Sequence, residues 1–89
     1  MSRDNSGRVR NDWTIKISLD DHQGQARATA LLRGRDQESV GVGVSRLKTD
    51  DRFVASIGDE LAVARALSDL ARQLMAAAAQ DIETVTNPQ

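Results

Sequence analysis

Asp20-Asp21-His22 is the one place in this chain where an imidazole and carboxylates stand together. Such a group could serve acid–base chemistry or bind a metal. The spacing argues against both. Consecutive residues in a turn do not converge on one point, and without a second His or any Cys the usual transition-metal set cannot be completed. These residues read as a hairpin turn, and Asp50-Asp51 as a solvated loop. Val40-Gly41-Val42-Gly43 has the glycines of a phosphate loop, but it lies within a strand and opens no helix. No nucleophile is legibly paired with a base. The expectation is a protein without enzymatic activity, cofactor, metal or small-molecule substrate.

Cations offer a second chemistry. Lys16, Arg27 and Arg33 share one sheet face by parity, with Arg35, Arg46 and Lys48 near its edges. Such a face is expected to contact phosphates of structured RNA, where backbone shape rather than base identity is read. It lacks the exposed aromatic pairs that stack unpaired bases, so single-strand recognition is disfavoured. The net charge of −1 conceals a division. Residues 1–48 hold nine Lys/Arg against six Asp/Glu, and residues 49–89 hold three against seven. A general nucleic-acid binder is usually more basic overall.

The elements that would position these residues follow from periodicity. Residues 1–11 are polar and without period and read as a mobile tail; 12–86 form one domain; 87–89 are a C-terminal tail. Trp13, Ile15, Ile17 and Leu19 alternate with polar residues as a half-buried strand. Asp20 to Gly24 is the turn. A second alternating run places Ala26, Ala28, Ala30 and Leu32 on one face, small enough for a helix to lie close against it. After the turn at Gly34–Glu38, a third strand over 39–47 is expected to turn Val40, Val42 and Val44 inward. Gly41, Gly43 and Ser45 then face outward, as a bulge or as a bare strip for another chain.

A helix over 57–85 completes the chain, with Ser56 as N-cap and Asp59 three residues on in a capping-box arrangement. Phe53 and Val54 are expected to tuck over one end of the core. Leu61, Ala64, Leu67, Leu70, Ala71, Leu74, Ala78, Ile82 and Val85 form its apolar stripe, with Arg65, Arg72 and Gln73 on the wet side. Asn87-Pro88 ends it. The fold class is therefore α+β, a three-stranded antiparallel meander with one long C-terminal helix, in the order β-β-β-α.

At 89 residues a single core is only marginally sufficient, and this one has two aromatic residues and no Cys. A helix of roughly 40 Å cannot bury its whole stripe on so small a domain. Both facts predict a homodimer, with Gly41, Gly43, Leu74, Ala78, Ile82 and Val85 as candidate interface residues. No secretory signal or run of the ~20 apolar residues needed to span a bilayer is legible, so a soluble cytoplasmic protein without membrane contact is expected.

Trp13-Thr14-Ile15, Asp21-His22, Arg27-Ala28, Val40-Gly41-Val42-Gly43, Ile57-Gly58-Asp59-Glu60-Leu61 and the string from Ala64 to Leu70 together resemble a known family. It comprises small actinobacterial proteins of unknown function with a fold like the double-stranded-RNA-binding domain (dsRBD-like), including dormancy-induced mycobacterial members. The resemblance covers about residues 12–86, and the string from Ile57 to Leu70 is its most specific part. It implies a β-β-β-α subunit, a homodimer and a shape likened to ribosome hibernation factors. No catalytic residue is implied. The chain lacks the first strand–helix unit of those factors and their strongly basic character. The resulting expectation is a non-enzymatic dimeric stress or dormancy protein contacting the ribosome or structured RNA through its basic sheet face. The alternative is a protein-interaction module with no nucleic-acid contact.

Overall fold

The computed structural model describes residues 8–46 and 50–86. The readings that fall on residues 1–7, on Lys48 and on Asn87-Pro88 lie outside the described residues. Three strands, β1 (Thr14–His22), β2 (Gln25–Arg33) and β3 (Glu38–Ser45), precede one helix, α1 (Arg52–Thr86). The strands form an antiparallel sheet in the order β1-β2-β3, so the β-β-β-α meander is the fold.

β1 continues through Asp20 to His22, and the turn contracts to Gln23-Gly24. His22 pairs with Gln25 across it. Both turn residues have positive φ, 53° at Gln23 and 76° at Gly24. That backbone matches the right-handed twist of the strands it joins, and Gly24 adopts it without a Cβ penalty. The second turn is closed by the Gly34 amide donating to the Gln37 carbonyl at 2.9 Å. The Trp13 ring lies over Gly34, at 3.0 Å from where a Cβ would stand.

The core corrects the parity expected of β3. Gly41 pairs with Ala30 and Gly43 with Ala28, and all four lie on the helix side of the sheet. Val40, Val42 and Val44 point to the outer face and are 40–46% exposed. Gly41 and Gly43 therefore carry neither a bulge nor a bare strip for another chain, because the chain's own helix occupies the strip. A Cβ at Gly43 would collide with Ala62 O and Ala66 N, and one at Gly41 with Ala66 O. The opposing helix row is Gly58, Ala62, Ala66 and Leu70, all buried. With Ala28, Ala30 and Leu32 they make a core of small residues, and Ser45 is buried beside them. Small side chains on both surfaces let helix backbone approach strand backbone.

The inner row also displaces the expected helix stripe. Of the positions read as buried, Leu70 is buried and Leu74 packs at the margin of the core, whereas Leu61, Leu67, Ile82 and Val85 are exposed. Leucines carry most of the hydrophobic signal, but the strip of glycines is faced by Ala62, Ala66 and the backbone and Cβ of Leu70. The helix begins five residues before the expected start. Asp51, not Ser56, is the N-cap: its Oδ1 accepts from the Phe53 amide at 2.9 Å and the Val54 amide at 3.4 Å. Phe53 consequently sits on the first turn, 74% exposed and not tucked over the core.

At about 1.5 Å per residue, the 35 residues of α1 span ~52 Å. β3, with eight residues, spans only ~26 Å. The C-terminal turns of α1 run past the sheet. No helix among the described residues is long and apolar enough to cross a membrane.

Candidate functional site

The helix lies over β2 and β3 and leaves β1 uncovered. Ile15, Ile17 and Leu19 pair with Leu32, Ala30 and Ala28, so they point to the helix side. The helix is centred on the Gly41/Gly43 strip, one strand too far away to cover them. Every residue of β1 is exposed. Trp13, Ile15, Ile17 and Leu19 stand at 39–49% of full exposure, a continuous apolar row on the inner face of a sheet edge.

The side of α1 that overlooks β1 is apolar as well. Val63 packs at the core margin, Leu67 is 37% exposed, and Ala64, Ala71 and Ala78 follow at intervals of seven. Leu67 and Leu74 fall between these alanines, producing alternate spacings of three and four. Helices repeating in this way pair along a seam, and alanine at every seventh position permits close approach. Farther along, Met75, Ile82 and Val85 are 66–80% exposed. β1 and this side of α1 thus form the two walls of a trough. Its hairpin end is an open groove of about 440 Å³ lined by Leu19, Val63, Ala64 and Leu67, with Ser56, Asp59 and Glu60 at the rim. Contiguous exposed apolar surface is characteristic of protein, membrane and ligand contact sites and of aggregation-prone faces alike.

The cations expected to form one basic face are dispersed. Lys16, Arg27 and Arg33 do share the outer face, as parity requires. Arg27 is engaged by Asp20 at 3.1 Å and Arg33 by Glu38 at 3.1 Å, so two carboxylates stand among three cations. Arg35 lies in the β2–β3 turn and Arg46 just past the opposite end of β3. That face also holds Val40, Val42, Val44 and Leu31 with the polar residues Thr14, Ser18, His22, Gln25 and Thr29.

Asp21 is separated from Asp20 and His22, which share the outer face by parity. Asp20 is on the outer face with Arg27, while Asp21 faces the helix side near Asp59. Among the described residues no group of three or more His, Asp or Glu is arranged to hold a metal ion. Of the candidate interface residues, Gly41 and Gly43 are covered by α1 and Leu74 is half-buried, while Ala78, Ile82 and Val85 remain exposed.

Sequence reasoning missed two features. The β1 row was assigned to the core, because alternation shows which residues share a face and not whether anything covers it. Arg65 and Gln73 read as a solvated helix face, and Asp69 has no role in that reading, yet all three reach the free edge of β3. Arg65 Nη1 donates to the Val44 carbonyl at 2.8 Å, Gln73 Nε2 to the Val40 carbonyl at 2.7 Å, and the Val42 amide to Asp69 Oδ2 at 2.9 Å. A polar row at spacing four beside an inner row of small residues is the signal that could have found them.

Residues 11–89 match the model of a family described as Rv2632c-like. The chain is 52% identical over 87 residues to the uncharacterized protein Mb1767 of Mycobacterium bovis, covering 98% of this chain and 93% of the relative. It is 49% identical over 73 residues to the uncharacterized protein Rv2632c of Mycobacterium tuberculosis, covering 82% and 78%. The crystal structure of Rv2632c is similar with a TM-score of 0.79 at 45% identity, over 94% of this chain and all of that one. The same meander and long helix therefore accompany a shared sequence over nearly the whole length, and the chain belongs to the Rv2632c-like family of small proteins of unknown function.

Proposed function

We propose that this protein is a non-enzymatic interaction module that works as a homodimer, with a second copy covering the trough between β1 and α1. The observation that carries the reading is the uncovered row of Trp13, Ile15, Ile17 and Leu19 beside the alanine seam of α1. A chain this short, with a core built mainly of Ala, gains the apolar burial it lacks when these surfaces are removed from water. The seam fits a second helix of the same kind, since a two-fold contact sets the same patch against itself. Ala78, Ile82 and Val85 extend that contact beyond the sheet.

Light scattering at micromolar concentration tests this, with Leu67→Glu as the perturbation. The wild type is expected at twice the chain mass. Leu67→Glu, at a position already 37% exposed in the single chain, is expected to dissociate it while the circular-dichroism spectrum stays folded. A monomeric wild type refutes the reading.

One observation favours a second reading, the dormancy-linked contact with ribosomal or other structured RNA that the family resemblance implies. Lys16 stands on the outer face and has no ion pair among the described residues, so that face keeps a small positive excess. Co-sedimentation with ribosomes at low salt, released at several hundred millimolar, would support it. Sedimentation unchanged by Arg27→Glu with Arg33→Glu would remove the outer face from that role.

A further inference from the structure

The two edges of the sheet are treated differently. Among the described residues no side chain is hydrogen-bonded to the backbone edge of β1, whereas the edge of β3 is occupied along its centre by Arg65, Asp69 and Gln73. The match is geometric. Residues at i, i+4 and i+8 of a helix advance about 6 Å per step. The outward-directed backbone groups of a strand recur every second residue, about 6.6–6.8 Å. With α1 antiparallel to β3, Arg65 meets Val44, Asp69 meets Val42 and Gln73 meets Val40, at 2.8, 2.9 and 2.7 Å. The row takes one backbone group from each outward valine, carbonyl, amide and carbonyl in turn, where a pairing strand would take both from each residue it bonds. The row is braced internally, since Gln73 Nε2 also donates to Asp69 Oδ2 at 3.3 Å and Arg72 Nη2 to Asp69 Oδ1 at 3.1 Å.

β3 needs such cover. Ser39 to Ser45 contains no charge and no Pro, alternates Val with Gly, and places three valines on the exposed outer face. An uncharged β-branched strand at a sheet edge is a template for pairing with its own kind. Strands usually carry their own protection as an edge Lys or Pro. Here the Gly41/Gly43 strip is reserved for close helix contact, and that same contact brings the polar row of α1 within reach of the edge.

We propose that Arg65, Asp69 and Gln73 form a latch that masks β3 as a strand acceptor, and that the strand it excludes is β3 of another copy. The surface is distinct from the β1/α1 trough, so the latch limits assembly whether or not the trough pairs two chains.

The test uses the full chain with Asp69→Ala plus Gln73→Ala, followed by light scattering, thioflavin fluorescence and amide hydrogen exchange. In the wild type the Val42 amide is expected to exchange slowly although it sits on a sheet edge. In the double variant it is expected to exchange at least tenfold faster, and the protein to form assemblies larger than the wild type. Adding Val42→Lys, a charge on β3 itself, should return the particle to wild-type size. Asp69→Asn keeps an acceptor oxygen for the Val42 amide and should stay close to wild type in size, which separates lost latching from lost folding. A double variant that is folded and unchanged in size overturns the proposal. So does growth that Val42→Lys fails to suppress, or a Val42 amide that already exchanges freely in the wild type. Loss of the basal dimer with intact latch behaviour would count against the trough alone.

Discussion

Gly43→Ala isolates the contact on which the tertiary structure depends. The added Cβ would overlap Ala62 O and Ala66 N and lie 2.7 Å from Arg65 Cβ. Ala62 O and Ala66 N are backbone atoms of α1, which cannot rotate aside as a flexible side chain would. Either the helix lifts from the sheet or the strand bends. Overpacking a tight site costs about 1–3 kcal/mol, occasionally more, and backbone clashes fall at the upper end. Ala is the better residue for a strand interior, which offsets about 0.5–1 kcal/mol. The net expectation is a loss of about 2–3 kcal/mol. For a chain of this size each kcal/mol lowers Tm by about 4–8 °C, so Gly43→Ala should melt about 10–20 °C below wild type. Thermal denaturation followed by circular dichroism measures this, at matched concentration because self-association raises Tm. Gly24→Ala is the control. Nothing lies within 4 Å of its Cβ position, so only positive φ opposes it, at a cost of about 1–2 kcal/mol. If Gly43→Ala melts within 2–3 °C of wild type, a shift of well under ~1 kcal/mol, the close strand–helix approach is refuted. Greater stability would refute it outright.

Two further outcomes follow from the same packing. Leu70→Ala removes the one large side chain that α1 contributes to the buried core, 2% exposed, and should destabilise by about 2–5 kcal/mol in urea unfolding; a loss below about 1 kcal/mol would mean that Leu70 does not anchor the helix. Asp51→Ala removes the oxygen that satisfies the Phe53 and Val54 amides and should cost about 1 kcal/mol, whereas Ser56→Ala should cost almost nothing. The reverse order would restore Ser56 as the cap.

The architecture was legible from the sequence because alternation and helical spacing are local properties. Trp13 to Leu19, Ala26 to Arg33 and the long apolar-periodic segment from Ile57 each declare their type without reference to the rest of the chain, whereas Asp20–His22 and the first turn of α1 read as turn and connection. The alanines of β2 correctly announced a helix lying close. The two glycines of β3 announced a close approach too, but alternation has no sign. It separates Val40, Val42 and Val44 from Gly41 and Gly43 without saying which set is covered. Hydrophobicity favoured the valines, and steric fit decided for the glycines. The same reversal moved the buried helix face from Leu61, Leu67, Ile82 and Val85 to Gly58, Ala62 and Ala66, with Leu70 common to both readings.

The candidate site was less legible. Sequence placed Lys16, Arg27 and Arg33 on one face but could not pair Arg27 with Asp20 seven residues away or Arg33 with Glu38. Those pairs require the antiparallel register. Nor could it show that α1 stops short of β1, since coverage depends on where a helix sits across a sheet. The amino-acid sequence by itself determined the elements, their order and a helix too long for its sheet. Tertiary structure alone decided which face of β3 is inside, which sheet edge is latched and which apolar row is left in water. Local periodicity is encoded in neighbours along the chain, whereas burial and edge protection depend on what the fold brings alongside.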